Sequence, residues 1–355
     1  MHPKILRDKY FQFYKKHQHA QIPSASLIPI NDASVLFNTA GMQPLVPYLL
    51  GNKHPSGNQL VNVQRCLRMV DFENVGDNTH NTFFQMLGNW SLGAYFKKDA
   101  ISQGFEFLTG VLKFPFDMLA FTVYQGDDQV PTDEQSAKFW KSHGVSKDRI
   151  AFLGKDNFWS AGETGPCGPS TEIFYWTGDG PAPVKFDEND ETWVEIWNIV
   201  FMMYNKDENG ILTELQQKNV DTGMGFERTV AILNNKKSAY ETQLFQPIIE
   251  EIEKLSQKKY LENKKEMRIM ADHIRAATFI LGDDNAIPPS NVDRGYILRR
   301  LIRRTIRYGK LLGINTNFTV QLAKIVIKEY SDYYSELEKN KEYVLDELQK
   351  EENKF

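Results

Sequence analysis

The spacing of apolar residues mixes strand and helix patterns over roughly the first 240 residues and is helical after that. Alternating or continuous apolar runs between turn residues predict strands at 60–68, 82–88, 119–124 and 193–204. Apolar residues three and four apart predict helices over 4–18, 98–112 and 134–143. From about residue 244 onward the pattern is helical and highly charged. We therefore predict two domains, 1–240 and 241–355.

Segments rich in turn-forming residues connect these elements. Residues 24–47 are dense in Pro, Asn, Gly and Ser, and one short strand is expected there at Val35–Phe37. The polar residues 71–81 are predicted to form a long loop that joins strands 60–68 and 82–88 into an antiparallel pair. Residues 158–170, which hold several Gly and Pro, are predicted to be a loop.

Composition excludes several classes of protein. The 355 residues are 41% hydrophobic and 25% charged, which is typical of globular chains and excludes a largely disordered one. The net charge of −4 means that any nucleic-acid binding must come from a local basic patch. The only two cysteines, Cys66 and Cys167, show no metal-ligand spacing, so a reducing compartment is predicted and no zinc site. No signal peptide or membrane span is found, which makes the cytoplasm, or an organelle matrix, the expected location.

The segment Asp221-Thr-Gly-Met-Gly-Phe-Glu-Arg228 is the clearest chemical motif. Its glycines are read as a turn that leads into a helix, where unpaired backbone N–H groups and Arg228 could hold a phosphate. It is neither a Walker loop nor the GxGxxG motif. A plain glycine turn capped by Asp221 remains the alternative at this point.

Two predicted strands carry polar side chains that could contact a ligand. Asn62, Gln64 and Arg68 share one face of strand 60–68, which could line a site or simply meet solvent. Asn198 interrupts an apolar face of strand 193–204, where it either satisfies the backbone or binds a small polar ligand such as an amino acid.

Residues 294–307 predict a helix with two distinct faces. One face is apolar; the other carries Arg299, Arg300, Arg303, Arg304 and Arg307. No acidic residue lies between Arg294 and Arg307. Because arginine forms bidentate hydrogen bonds with phosphate, we favour a polyanionic partner for this face over exposure to solvent alone.

These segments together resemble the N-terminal part of the alanyl-tRNA synthetases, a class II aminoacyl-tRNA synthetase family. The resemblance covers essentially the whole chain in order, including 37–44, 64–76, 162–172, 195–201, 221–228, 271–276 and 289–300. It implies an α+β fold, with an antiparallel sheet flanked by helices over 1–240 and a helical tRNA-recognition domain over 241–355. It also implies the activity of an alanine-tRNA ligase, which uses ATP with Mg²⁺.

The resemblance assigns roles to individual residues. Arg68 is expected to hold the α-phosphate of ATP, Arg228 the γ-phosphate, and Asp221 the ammonium group of L-alanine. Further expected contacts are Glu73, His80, Trp90 and Gly225 with ATP, and Met86, Trp159, Asn198, Val200 and Gly223 with alanine. Glu195 is a candidate ligand for Mg²⁺. Contacts with the acceptor stem of tRNA(Ala) are expected from Asn291, Arg294, Arg299, Arg300, Arg303 and Arg304.

The chain also departs from the family pattern. Thr79, Asn81 and Gln85 replace the usual Arg, His and Glu, Trp90 replaces Phe, and Ala94 replaces Asp. The Gly-Lys-His stretch usual after Arg68 is missing, and so are the editing and C-terminal domains. We therefore expect a shortened form of the synthetase that is a monomer. The alternative to an active ligase is a synthetase-like paralogue that binds tRNA with altered catalysis.

Overall fold

A single nine-stranded sheet dominates the computed structural model, which describes residues 1–29, 35–70 and 72–355. The strands are β1 Ala20–Gln21, β2 Gln59–Leu67, β3 Phe83–Leu92, β4 Leu119–Tyr124, β5 Ile150–Leu153, β6 Phe158–Ser160, β7 Gly165–Trp176, β8 Trp193–Lys206 and β9 Leu212–Gly225. Their order is β1-β2-β3-β9-β8-β7-β4-β5, with β6 beside β7. The pairs β1–β2 and β4–β5 are parallel and the others antiparallel.

Helices pack against the sheet and make up the C-terminal part of the chain. They are α1 Pro3–Lys16, α2 Val46–Leu49, α3 Lys97–Phe105, α4 Glu134–Ser142, α5 Phe226–Leu233, α6 Gln246–Ser256, α7 Lys264–Gly282, α8 Asp293–Leu311, α9 Thr319–Tyr330, α10 Glu336–Lys339 and α11 Lys341–Lys354. The α+β fold class is confirmed, as are the predicted helices and the strands predicted at 60–68, 82–88, 119–124 and 193–204, of which 82–88 and 193–204 extend further than predicted. None of the helices in the described ranges is long and apolar enough to cross a membrane.

Two local predictions were wrong. Val35–Phe37 is not a strand, because the backbone oxygens of Val35 and Leu36 accept hydrogen bonds from the Arg294 side chain instead of from a neighbouring strand. Residues 158–170 are not one loop, because 158–160 form β6 and 165–170 begin β7, and only 161–164 connect the two strands. Gly168 lies where a Cβ atom would come within 1.9 Å of the Phe201 oxygen on β8. The Gly and Pro residues therefore belong to an irregular stretch of strand, where the β7–β8 register shifts.

The helical C-terminal part shares one hydrophobic core with the sheet. Helix α7 lies at its centre, and all of its side chains from Met267 to Gly282 are buried. Phe279 of α7 stacks on Phe83 of β3, with ring centroids 4.0 Å apart. The division into 1–240 and 241–355 stays a prediction.

A buried polar network links the same parts. Arg275 of α7 is ion-paired with Glu227 of α5, and Glu227 also accepts a hydrogen bond from the backbone nitrogen of Gln85 at 2.9 Å. The side-chain oxygen of Gln85 accepts hydrogen bonds from Arg7 of α1 and, at 2.9 Å, from the hydroxyl of Tyr334. Because buried ion pairs are costly to break, this network fixes the start of α5 against β3.

Candidate active site

The register of four central strands gathers most of the predicted site residues on one face of the sheet. Directly opposite partners on β3, β9, β8 and β7 form two neighbouring rows: Trp90, Asp221, Val200 and Ser170 in one, and Gly88, Gly223, Asn198 and Glu172 in the other. Met86 and Gly225 are also paired, two residues further along β3 and β9. Since residues two apart in a strand share a face, these side chains point to the same side.

The glycines of the clearest motif are strand residues, so the predicted glycine turn was wrong. Residues 221–225 lie inside β9 and pair with β3 on one side and β8 on the other. The glycines create space for neighbouring side chains, since a Cβ atom at Gly223 would come within 2.6 Å of the Met86 sulfur. The helix that was expected after them does follow, as α5, with Arg228 in its first turn.

A cavity of about 290 Å³ opens on this face. Its walls include eleven of the residues singled out from the sequence: Arg68, His80, Met86, Trp159, Glu195, Asn198, Val200, Asp221, Gly223, Gly225 and Arg228. Sequence reasoning missed Phe84, Asp156, Glu172 and Glu227, which also line it. A signal was available for two of them, since Phe84 lies two residues before Met86 on β3 and Glu227 directly precedes Arg228.

Asp221 presents a carboxylate to this cavity from the middle of the sheet. Only 7% of the residue is exposed, and burial raises the pKa of Asp221 to about 7, although a hydrogen bond from Trp90 opposes that rise. The indole nitrogen of Trp90 donates this bond at 2.6 Å. A partly desolvated carboxylate of this kind suits a small cationic group, which would replace the lost water.

Asn198 and Glu172 form a second polar pair on the cavity wall. The Asn198 amide donates from Nδ2 to Glu172 Oε1 at 3.1 Å, and its own Oδ1 is buried without a partner among the described residues. Burial, followed by the charges of Glu195 and Asp156, raises the pKa of Glu172 to about 9. A ligand group that hydrogen-bonds to Asn198 would satisfy a buried atom that otherwise lacks a partner.

Two arginines supply positive charge to the cavity. Arg68 donates from Nε to the backbone oxygen of Thr39 at 3.0 Å, and its guanidinium lies 5.0 Å from the ring centre of Phe84. Arg228 donates to the backbone oxygen of Glu195 at 3.0 Å and lies 3.6 Å from the Glu195 carboxylate. The remaining N–H groups of both side chains can bind an anion such as a phosphate.

A metal ion at this site would depend on few protein ligands. Across residues 1–29, 35–70 and 72–355, no group of three or more His, Cys, Asp or Glu side chains is arranged to hold a metal. Glu195 lines the cavity with a 37% exposed carboxylate. This fits Mg²⁺ carried by a nucleotide, which commonly takes one or two carboxylates and completes its shell with phosphate and water oxygens.

Two of the residues expected to contact ATP lie outside this cavity. The Trp90 ring is fully buried, so it offers no surface on which a base could stack. Glu73 has a 72% exposed side chain and pairs with Arg300 at 2.8 Å. His80 does line the cavity, at the end of the loop before β3.

Helix α7 holds that loop in place through Arg268. The buried guanidinium donates hydrogen bonds to the backbone oxygens of Gly76 and Asp77, at 3.3 and 2.8 Å, and to the side chain of Asn78 at 3.1 Å. The Asp77 carboxylate in turn accepts from the backbone nitrogen of His80 at 2.8 Å. Arg268 therefore determines the path of the chain that carries His80 into the cavity.

The residues expected to bind tRNA lie on and before α8, and all six of them are engaged within the chain. Arg299 and Arg303 share the buried carboxylate of Glu351 on α11, at 3.0 and 2.8 Å. Further contacts are those of Arg299 with Asn291, Arg300 and Arg304 with Glu73, and Arg294 with the backbone oxygens of Pro29, Val35 and Leu36. The basic face is therefore partly neutralised by acidic side chains that are distant in sequence.

Comparison with known proteins gives a consistent result. The family model of class II (A) tRNA synthetases matches residues 5–355. The chain is 52% identical to an alanine–tRNA ligase of Borreliella burgdorferi over 99% of its own length and 60% of the relative, and 53% identical to that of Treponema denticola over 96% and 58%. The chain thus spans about 60% of the length of these curated relatives.

More distant relatives extend the comparison. An alanine–tRNA ligase of Idiomarina loihiensis is 42% identical over 99% of this chain and 41% of its own length. Among solved structures, apo histidyl-tRNA synthetase of S. aureus aligns over 72% of this chain and 75% of its own, at 10% identity and a TM-score of 0.41. The family model, which covers nearly every residue, is sufficient: the chain belongs to the class II (A) tRNA synthetase family.

Proposed function

We propose that this chain activates L-alanine with ATP to form alanyl-adenylate and transfers the alanyl group to the 3′ end of tRNA(Ala). The observation that carries the proposal is the row of partners across β3, β9 and β8, which places the carboxylate of Asp221 beside Val200 in a cavity that Arg68 and Arg228 also line. The alanine–tRNA ligases among its relatives support the choice of amino acid.

The proposed pocket for alanine combines one anionic group with a small apolar space. Asp221 accepts the ammonium group, and Val200 and Met86 surround the methyl side chain. Asn198 and Trp159 complete the wall. A pocket of this kind excludes larger amino acids by size but discriminates weakly against glycine and serine, because one methylene or hydroxyl changes binding by only about 1–3 kcal/mol.

Charge on ATP determines the proposed roles of the arginines. A carboxylate oxygen of alanine attacks the α-phosphorus, and the bond to the β-phosphate breaks with its electron pair, so that pyrophosphate leaves. Arg68 holds the α-phosphate, and Arg228 holds the γ-phosphate in the part of the cavity formed by Glu195. Fixed guanidinium groups that bind this charge stabilise the transition state without reorganising. Bound Mg²⁺ would neutralise phosphate charge, with Glu195 as its candidate protein ligand.

The second step brings the tRNA acceptor stem to the same face. We propose that Asn291 and the arginines of α8 contact its phosphates, and that binding exchanges some of their present partners, Glu351 and Glu73, for RNA. The terminal ribose hydroxyl then attacks the alanyl carbonyl, and AMP leaves. The proposed protein acts as a monomer in the cytoplasm or in an organelle matrix.

Exchange of labelled pyrophosphate into ATP, measured with each of the twenty amino acids and Mg²⁺, tests the first step. Exchange is expected with alanine, and weakly with glycine or serine. Arg68→Ala and Arg228→Ala should each slow it by roughly 100-fold or more. Arg149→Ala is the matched control, because Arg149 bonds the distant carbonyls of Val184 and Leu119.

Three outcomes are distinguishable. Exchange that is faster with another amino acid than with alanine would make the chain a ligase for a different substrate. A folded chain that binds tRNA but exchanges with no amino acid would be a synthetase-like paralogue, and the proposal would be rejected. An unchanged rate in Arg228→Ala would reject the role given to that arginine alone.

A further inference from the structure

The structure carries one inference about Trp90, a residue that resemblance to the family assigns to ATP. We propose that Trp90 is a positioning residue for amino-acid recognition, whose indole N–H holds the Asp221 carboxylate in place to receive the ammonium group of the substrate. This inference rests on the proposed function and adds to it a residue that touches neither substrate.

The hydrogen bond between the two residues follows from the sheet. Trp90 and Asp221 are directly opposite each other on β3 and β9, and the indole nitrogen lies 2.6 Å from Asp221 Oδ1. Among the residues that the structure describes, no other side chain donates to this carboxylate. One oxygen is thereby fixed inside the sheet, while the residue still lines the cavity.

The indole ring is held firmly enough to act in this way. Trp90 is fully buried, and two glycines make room for its ring. A Cβ atom at Gly88 would come within 2.3 Å of the ring, and one at Gly41 within 2.9 Å. Because the ring fills the space that these glycines leave, it cannot turn its N–H away without displacing backbone.

The bond also affects the charge that an ammonium group meets. Burial disfavours the ionised form of Asp221, and the Trp90 hydrogen bond acts in the opposite direction by lowering its pKa. Loss of the N–H donor should therefore raise the pKa of Asp221 above about 7, and a larger fraction of the carboxyl would be neutral at pH 7. A neutral carboxyl binds an ammonium group poorly.

Other ionisable groups lie near Asp221 or line the same cavity. Burial raises the pKa of Tyr10 on α1 far above neutrality and that of Cys66 on β2 to about 12, so both stay uncharged between pH 6 and 9. The further charged or titratable groups of the cavity are Arg68, His80, Asp156, Glu172, Glu195, Glu227 and Arg228. These are common to the wild type and the Trp90 variants, so a difference between the profiles reports on Asp221.

The test compares two variants that each remove a buried indole N–H. Trp90→Phe removes the donor to Asp221. Trp140→Phe is the matched control, because Trp140 is equally buried and donates to Thr171 at 2.8 Å. Thr171 neighbours Glu172 on β7 and therefore faces the opposite side of the sheet from the cavity. Replacement of Trp90 by 3-benzothienylalanine removes the N–H while it keeps the ring shape, in case Trp90→Phe folds poorly. Alanine KM, ATP KM and kcat of pyrophosphate exchange are measured from pH 6 to 9.

Loss of the Trp90 donor should raise the alanine KM roughly tenfold at pH 7, as expected for a hydrogen bond to a charged group. The ATP KM should change less than twofold. The alanine KM should rise at low pH, where Asp221 is protonated, and this rise should begin at a higher pH than in the wild type. Trp140→Phe should leave the alanine KM and its pH profile unchanged. Equal alanine KM values and pH profiles in the Trp90 and Trp140 variants would overturn the inference.

A second measurement does not depend on enzymatic activity. Carbon-13 NMR of labelled aspartate, with the Asp221 signal assigned from Asp221→Asn, should give a higher pKa for Asp221 when Trp90 lacks its N–H. An unchanged pKa would contradict the inference even if the chain exchanges no pyrophosphate. Absence of alanine-dependent exchange in the wild type, by contrast, would reject the proposed function.

Discussion

The side-chain amide of Asn198 donates a hydrogen bond to the carboxyl group of Glu172 at 3.1 Å, between directly opposite residues of β8 and β7. Glu172 thus determines which atom of Asn198 faces the cavity, since Nδ2 is engaged and Oδ1 is left without a partner among the described residues. Asn198 was identified from the sequence, but the residue that orients it lies 26 positions away.

Replacement of Glu172 tests this orienting role. Glu172→Gln keeps an oxygen that can accept from Asn198, so the alanine KM of pyrophosphate exchange should stay within about threefold of the wild type. Glu172→Ala leaves the buried amide without its acceptor, which costs about 1–3 kcal/mol, and should raise the alanine KM about tenfold. If both variants raise it equally, the hydrogen bond does not orient Asn198.

Stability should fall as the pH rises through the titration of the two raised carboxyl groups. Folding raises the pKa of Asp221 from 3.8 to about 7 and that of Glu172 from 4.5 to about 9. The folded chain therefore binds more protons than the unfolded chain in this interval, and the contribution of these two groups to stability, full at low pH, is lost toward pH 9. Urea unfolding at pH 6 and pH 9 should show this loss, and Glu172→Gln should reduce it; an identical loss in that variant would argue against the raised pKa of Glu172.

The space at Gly223 is expected to be necessary for alanine binding. A Cβ atom there would come within 2.6 Å of the Met86 sulfur, and the flexible Met side chain would have to move into the cavity. Gly223→Ala should fold but raise the alanine KM at least tenfold. Gly223→Ala combined with Met86→Ala should recover part of the loss, as a double-mutant cycle measures. Strictly additive effects would show that Met86 and residue 223 do not compete for this space.

Arg268 should affect ATP more than alanine. It bonds the backbone at Gly76 and Asp77, in the loop that carries His80 to the cavity, but lies outside the cavity itself. Arg268→Met should raise the ATP KM severalfold and leave the alanine KM within about twofold, while Arg268→Lys, which cannot form all these contacts, should lie between. Equal changes in both KM values would indicate general unfolding instead of a displaced loop.

The affinity for an acceptor-stem RNA should fall as the salt concentration rises. This salt dependence should be weaker in a variant that lacks one arginine of α8. Each phosphate contact contributes about 0.7–0.9 to the slope of log affinity against log salt. Arg300→Ala should therefore lower the magnitude of the slope by roughly one. Arg149→Ala, far from α8 in sequence and bonded to Val184, serves as the charge-matched control. A slope that Arg300→Ala leaves unchanged would remove this residue from the RNA interface.

The strands and helices of this chain could be predicted where one pattern dominated. The alternation around Asn198 and the four-residue repeat of α8 correspond to β8 and to α8 as the structure has them. The glycines at 223 and 225 were misread as a turn, because a sequence does not tell whether glycine serves backbone conformation or leaves room for a neighbour such as Met86.

The features that could not be predicted from the sequence depend on contacts between segments that are distant along the chain. The arginines of α8 looked unpaired because no acidic residue is near them in sequence, yet Glu351 and Glu73 pair with them in the fold. Trp90 was expected to contact ATP, but its place opposite Asp221 depends on the β3–β9 register, which the motif alone does not determine.

A crystal structure with a non-hydrolysable alanyl-sulfamoyl adenosine would show directly whether Asp221 binds the amino acid. The alanyl ammonium group should lie within hydrogen-bonding distance of Asp221, the methyl group should contact Val200 and Met86, and Arg68 should contact the sulfamoyl group in place of the α-phosphate. An analogue bound elsewhere, or bound here with its ammonium group away from Asp221, would contradict this role of Asp221.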